Sequence, residues 1–213
     1  MNHFDIIYVI NLKHRTDRLE SIMKELSSMG VDEKKIVRIN AIYNKEFGAL
    51  GCAQSHRLAL SYFMKNKEAN NCLILEDDFV FTRDKSYIDS TLDDVFSNIK
   101  KWDVLMLSGN LVSIEARRDN EKFVKVYDAQ TTSGYAVYKD FGPKLIDCFK
   151  KSEENMRKFF KVYHESLIKH NFAIDMSWKT LQPASNWYCV YPCIGKQQDG
   201  YSDIENREVK YNC

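Results

Sequence analysis

The ten residues Cys72-Leu73-Ile74-Leu75-Glu76-Asp77-Asp78-Phe79-Val80-Phe81 run apolar, stop at three consecutive carboxylates, and turn apolar again. An unbroken apolar run this short predicts a strand covered on both faces. Acids in a row repel one another unless a cation or hydrogen-bond donors compensate. Open α/β sheets bind ligands beyond the carboxyl ends of their strands, which is where these acids fall. Hard oxygen ligands favour Mg²⁺ or Mn²⁺, so Glu76, Asp77 and Asp78 are candidate metal ligands. The plainer alternative is a solvated turn whose acids cap the next helix.

Strand and helix alternate outward from this run. Residues 4–12, with the run IIYVINL, read as another buried strand. Asp17 and Glu20 resemble a capping box, followed by Leu19, Ile22, Met23, Leu26 and Met29 at helical spacing until Gly30 stops the helix. Residues 36–42 predict a strand, and a glycine-punctuated turn at Gly48 and Gly51 leads into a helix over 52–66. A helix near 86–99 carries Leu92, Val95, Phe96 and Ile99 and precedes a strand at 103–107. This order predicts an α/β fold with a mostly parallel central sheet flanked by helices and right-handed crossovers.

Beyond Gly109 the pattern loosens. Residues 113–122 read as a polar surface loop, and 123–127 and 134–138 as strands antiparallel to the rest. Residues 140–170 read as mainly helical, and 183–213 as irregular. With neither a repeat nor a linker, residues 1–213 form one domain with a decorated C-terminal half.

Composition removes whole classes of function. Lys+Arg 31 against Asp+Glu 30 leaves a formal +1, so no basic field attracts nucleic acid. Eight glycines and three prolines exclude linker-rich and low-complexity chains. The opening MNHFDIIYVINL holds Asp5 and lacks a basic flank, so it is not a signal peptide. No apolar run approaches the ~20 residues of a membrane span. Six cysteines without CxxC pairing predict reduced thiols and a cytoplasmic location.

Other clusters carry possible chemistry. Lys13, His14, Arg15 and Arg18 follow the first strand, and Arg15 and Arg18, three apart, share a helix face suited to a phosphate or a nucleotide. A solvated turn is the plainer reading. Cys52 and His56 stand at i, i+4, a zinc-compatible spacing, yet two ligands do not make a site. His56 also shares a stripe with Ala59, Leu60 and Phe63, as a core histidine would. Asp175 follows an apolar run, where a carboxylate is a general base, a substrate anchor or an N-cap. Small and polar groups around Gly134 and Gly200 mark two further loops.

Taken in order, these blocks resemble glycosyltransferase family 25, which includes lipopolysaccharide and lipooligosaccharide galactosyltransferases and procollagen galactosyltransferases. The resemblance begins with Tyr8-Val9-Ile10-Asn11-Leu12, Arg15, Asp17 and Arg18, and continues with Gly48, Gly51, Cys52, Ser55 and His56. It peaks at Leu75-Glu76-Asp77-Asp78 and ends with Thr132-Ser133-Gly134-Tyr135, Asp175 and Ser202-Asp203-Ile204-Glu205. It implies a GT-A fold, a UDP-sugar donor, a divalent metal (Mn²⁺ or Mg²⁺) and inversion at the anomeric carbon. By this analogy Asn11, Arg15 and Arg18 hold the nucleotide, and Gly51, Ser55 and His56 line the donor pocket. Ser133, Gly134, Gln198 and Ser202 fall to the donor side as well. Asp78, with Asp77 or Glu76, takes the metal, and Asp175 is the candidate base. One departure is Cys193, Lys196, Gln197 and Gln198, standing where procollagen-type members carry a histidine. The implied activity moves a hexose (galactose, glucose or N-acetylglucosamine) to a hydroxyl of a glycan or glycosylated protein. A metal-dependent phosphohydrolase and a non-catalytic nucleotide-sugar-binding module are the competing classes.

Overall fold

The computed structural model describes residues 1–116, 121–202 and 207–210. Its first strands are β1 (Ile6–Asn11), β2 (Ile36–Asn40), β3 (Asn71–Glu76), β4 (Phe79–Phe81) and β5 (Val104–Met106). Between them run α1 (Thr16–Ser28), α2 (Gly48–Lys65) and α3 (Lys85–Asn98). Next come β6 (Asn110–Ile114), β7 (Phe123–Gln130), β8 (Gly134–Tyr138), α4 (Gly142–Phe159), α5 (Glu165–Phe172) and α6 (Ile174–Ser177). The remaining strands are β9 (Trp187–Val190), β10 (Gly195–Gln197), β11 (Gly200–Ser202) and β12 (Arg207–Val209).

Eight strands form one sheet in the order β2-β1-β3-β8-β5-β9-β7-β6. β1 pairs in parallel with β2 and β3, and β5 with β9, whereas β7 and β8 run against their neighbours, so the sheet is mixed rather than mostly parallel as expected. Alternate side chains of each central strand serve different cores. Ile7, Val9, Leu73, Leu75, Leu105 and Ala136 pack under α1 and α3 with Ile22, Leu26, Leu92 and Val95. Tyr8, Ile10, Ile74, Met106 and Tyr135 pack under α2 and α4 with Ala53, Leu60, Phe63 and Phe149. That two-sided cover is why the strands read as unbroken apolar runs. Each fully buried Leu, Ile or Phe contributes about 1.5–3 kcal/mol of transfer free energy.

Several expectations need correction. α1 starts at Thr16 with Arg15 as its cap and no capping side-chain bond. Asp17 binds Arg15, and Glu20 pairs with Lys24 at 2.8 Å, so neither completes a capping box. α2 begins at Gly48, so Gly48 and Gly51 form its first turn, and Ser55 and His56 lie beyond that turn. Part of the expected 113–122 loop is the edge strand β6, while residues 117–120 lie outside the described set. The expected irregular tail contains β9, a buried strand between β5 and β7. Trp187 and Cys189 fill one face of β9 and Val190 the other, a run too short for periodicity to reveal. Asp203, Ile204 and Glu205 of the last resemblance block, and Cys213, lie outside the described residues.

Candidate active site

β3 ends at Glu76, and its parallel register with β1 sets Ile10 opposite Glu76. Asn11 therefore stands beside the acid turn. β4 then pairs antiparallel with β10, placing Phe79 opposite Gln197, while the Gln198 amide donates to the Asp78 carbonyl at 2.7 Å. The turn is thus clamped from both sides by backbone hydrogen bonds.

Side-chain donors compensate the three carboxylates differently. Arg18 from α1 donates to Asp77 Oδ1 at 3.1 Å and to Asp78 Oδ2 at 3.2 Å, and its other arm binds the Tyr201 carbonyl at 2.6 Å. Asn11 donates to Asp77 Oδ2 at 2.7 Å and accepts from Arg38 at 2.7 Å. Glu76 is turned the other way: Thr132 Oγ1 donates to its Oε1 at 2.8 Å, and His56 Nε2 stands 3.2 Å from the same oxygen. The other ring nitrogen of His56 meets Tyr135 Oη at 3.0 Å.

Proton affinities follow from these environments. Burial pushes Glu76 upward, but His56, Thr132 and the charge of Arg18 outweigh it and leave its carboxyl below the usual range. Asp77 is raised by burial despite Asn11 and Arg18. Asp78 is pushed up to about 7 by burial and by the charge of Glu76, with Arg18 opposing. Among the described residues, Asp78 Oδ1 is buried and has no hydrogen-bond partner. An orphaned buried oxygen next to a second carboxylate fits a hard divalent ion. Asp78 and Asp77 meet that requirement together, whereas Glu76 is committed to His56 and Thr132.

Two cavities adjoin along this edge. The first, ≈ 670 Å³, is walled by Leu12, Ile42, Tyr43 and Asn44 and floored by Arg18, His56 and the acid turn. Gly51 holds α2 against the 41–44 loop: a Cβ there would lie 2.4 Å from the Ile42 carbonyl. The Ile42 amide donates to Ser55 Oγ at 2.8 Å, and that hydroxyl donates to the Gly51 carbonyl at 2.6 Å. The second cavity, ≈ 1080 Å³, is lined by Gln130, Thr131, Thr132, His170 and Asp175. Cys52, Glu76 and Gln197 line both. Burial raises the Asp175 carboxyl, and the Thr131 amide donating to it at 3.3 Å opposes that shift.

Half of the expected site residues line these cavities, and the others play other parts. Arg18, His56, Asp77, Asp78 and Glu76 meet at the first cavity. Arg15 is engaged with Asp17 and is not among the residues that wall it. Asn11, 1% exposed, has its amide spent on Asp77 and the Arg15 carbonyl, so it shapes the acid turn. Ser55 braces a loop. Ser133 is fully buried against Ser108 at 2.6 Å, and Gly134 packs on the Phe79 ring. Gln198 is exposed, and its neighbour Gln197 faces the site instead. Ser202 is buried in β11, the strand whose Tyr201 carbonyl holds Arg18. Asp175 lies in the first turn of α6 with Ala173 as cap, so it is not an N-cap. Tyr43, Asn44 and Gln197 line the first cavity, and Thr132 and Tyr135 hold Glu76 and His56, roles that the sequence pattern does not single out. Thr132 and Tyr135 stood inside a quoted block, but only strand pairing aims them at Glu76 and His56.

No family model matches the chain, and no curated protein matches its sequence. Solved structures do match. A mannose-1-phosphate geranyltransferase from Thermus thermophilus aligns at TM-score 0.50 and 10% identity, over 87% of this chain and 72% of that one. A197 from STIV aligns at TM-score 0.48 and 10% identity, over 98% and 94%. A glycosyltransferase involved in glycosylation of the major capsid of PBCV-1 aligns at 0.46 and 11%, over 88% and 81%. Among the described residues no helix is long and apolar enough to cross a membrane. The fold is a mixed α/β architecture of the GT-A type, with a large central sheet flanked by helices.

Proposed function

We propose that this chain is a metal-dependent inverting glycosyltransferase of the family 25 kind, moving a hexose from a UDP-sugar to a hydroxyl of a glycan or glycosylated protein. One observation carries the reading: a cleft lined by the Asp77–Asp78 pair shares Cys52, Glu76 and Gln197 with a second cavity lined by the half-buried carboxylate of Asp175. Asp78 and Asp77 would hold Mn²⁺ or Mg²⁺, and Arg18 sets the spacing of the pair. The bound ion supplies Lewis-acid stabilisation to the diphosphate leaving group. The 41–44 loop, with Leu12, offers an apolar slot for a base, and Tyr43 adds a ring face. Asp175 takes the proton of the acceptor hydroxyl as that oxygen attacks the anomeric carbon from the side opposite the leaving group. Inversion requires only one such carboxylate. Glu76, held by Thr132 and His56, sits where donor and acceptor cavities meet and orients the transferred sugar.

The test is a panel of UDP-galactose, UDP-glucose and UDP-N-acetylglucosamine with Mn²⁺ and glycan acceptors, reading UDP release and product. Asp78→Asn is expected to abolish metal-stimulated transfer. Asp175→Asn is expected to abolish transfer while calorimetry still detects UDP-sugar binding. Phosphate release from simple phosphoesters without sugar transfer would overturn the reading in favour of a phosphohydrolase.

A further inference from the structure

Cys52, His56 and Glu76 converge where the two cavities join, and one ligand atom from each lies within 4.8 Å of the other two. Spacing alone paired Cys52 with His56 on one face of α2; the end of β3 supplies the third ligand. We propose that Cys52 Sγ, His56 Nε2 and a Glu76 carboxylate oxygen form a site for a thiophilic divalent ion such as Zn²⁺, distinct from the carboxylate pair at Asp77 and Asp78. A sulfur, nitrogen and oxygen set suits Zn²⁺ or Co²⁺, whereas Mn²⁺ and Mg²⁺ prefer oxygen alone. Three protein ligands leave a fourth tetrahedral position, and it opens to the cavities that Cys52 and Glu76 both line.

The surroundings already hold these ligands in place. His56 is fully buried, and its Nδ1 is 3.0 Å from Tyr135 Oη, leaving Nε2 aimed at Glu76. Tyr135 is itself fixed edge-on against Trp178, ring centroids 5.4 Å apart. A metal-bound histidine characteristically has its second nitrogen held in this way. Thr132 steadies Glu76 at 2.8 Å. Bonds of ~2.0–2.3 Å to the ion require the three side chains to draw together by about an ångström. On binding, the Cys52 thiol releases its proton to solvent. The Nε2 proton that faces Glu76 leaves as the ion takes its place, the metal-bound ring keeps one proton on Nδ1 directed at Tyr135 Oη, and nothing is oxidised or reduced. The ion would sit across the passage between the cavities, so Zn²⁺ should inhibit transfer; that consequence rests on the function proposed above.

Cobalt titration of the full chain tests the site without reference to activity. Co²⁺ should give a sulfur-to-cobalt charge-transfer band in the near ultraviolet and tetrahedral d–d bands in the visible, both abolished by Zn²⁺. Cys52→Ser should remove the charge-transfer band and weaken Zn²⁺ binding roughly tenfold or more, whereas Asp78→Asn should leave both unchanged. Glu76→Gln, a second variant in case Cys52→Ser does not fold, should shift the d–d bands and weaken binding. The absence of the band in folded wild-type protein, or its persistence in folded Cys52→Ser, would overturn the proposal. Persistence would point to Cys189 and Cys193, whose sulfurs lie 3.7 Å apart. If no sugar is transferred at all, the transferase reading fails and the cobalt spectra still decide the site.

Discussion

Burial makes Asp175 hold its proton more tightly than a free aspartate, and the Thr131 amide offsets only part of that. Its raised folded value means that, above the ordinary aspartate range, the unfolded chain has lost a proton the folded chain still keeps. Stability from this group is therefore fully present at low pH and is lost as pH rises through the folded value. Asp175→Asn removes the titration, so the variant should melt above wild type at pH 8 and close to it at pH 4. In the role proposed for it as base, Asp175 must be ionised, so the same shift would move the acid limb of kcat/KM above the ordinary aspartate range. A variant inactive yet more stable at pH 8 marks a functional carboxylate; one that is inactive and less stable marks a structural one. Thermal melts at the two pH values distinguish them. At this scale the sequence named Asp175 and the acid trio, because an acid ending an apolar run is visible in one dimension. Thr132 and Tyr135 were not legible as site residues, because their roles depend on β8 pairing antiparallel to β3, Gly134 against Leu75.

α2 carries Cys52, Ser55 and His56, and its position depends on α4. Arg57 of α2 binds Glu153 of α4 in a bidentate pair, with one contact at 3.2 Å, and Glu153 is 7% exposed. Arg57→Ala strands that carboxylate. Removing one partner of a fully buried pair costs ~3–5 kcal/mol, but Arg57 is 35% exposed and water screens the site, so about 2 kcal/mol is expected. That is a fall in Tm of about 4–8 °C for a chain of this size. Glu153→Gln should cost less, and a double-mutant cycle measured by chemical denaturation isolates the coupling. The acid turn has its own brace. A Cβ at Gly195 would lie 2.1 Å from the Phe79 ring, and one at Gly134 2.4 Å from it. Gly195→Ala must therefore push Phe79 and β4 away, at roughly 1–3 kcal/mol. On the proposed function it should also weaken UDP-sugar binding by displacing Asp78; unchanged affinity in a destabilised variant would separate the brace from the site. Helices and long strands were legible from periodicity, whereas β4 and β10, three residues each, were not. Strands that short exist only because they pair with each other.

Across the whole molecule one sheet separates two cores, and the central strands β1, β3, β5 and β8 each send side chains into both. Trp102 reports on the α1/α3 side, Trp178 and Trp187 on the α2/α4 side. Both layers grip the same strands, so unfolding should be a single transition with coincident tryptophan fluorescence and far-ultraviolet dichroism. Replacing Trp102, or Trp178 and Trp187, by Phe in separate variants assigns the fluorescence to one side, and different midpoints for the two sides would refute a single cooperative unit. β9, although late in the chain, lies between β5 and β7. A chain ending before Trp187 should therefore fail to fold rather than lose a peripheral flap, as dichroism of the truncated protein would show.

Strand–helix alternation, the parallel grouping of β1, β2 and β3, and the acidic turn at a strand's carboxyl end are all readable from the order of residues. Those are properties of local periodicity and of apolar runs interrupted by charge. Which carboxylates face one another depends on contacts between distant parts of the chain. Arg18 joins Asp77 to Asp78, while Thr132 and His56 draw Glu76 toward Cys52. Three neighbours in sequence are thereby divided between two environments. The physical reason is that a buried charge goes to whichever donors the fold brings within hydrogen-bond reach, and those donors come from residues 18, 56 and 132, which no local pattern links.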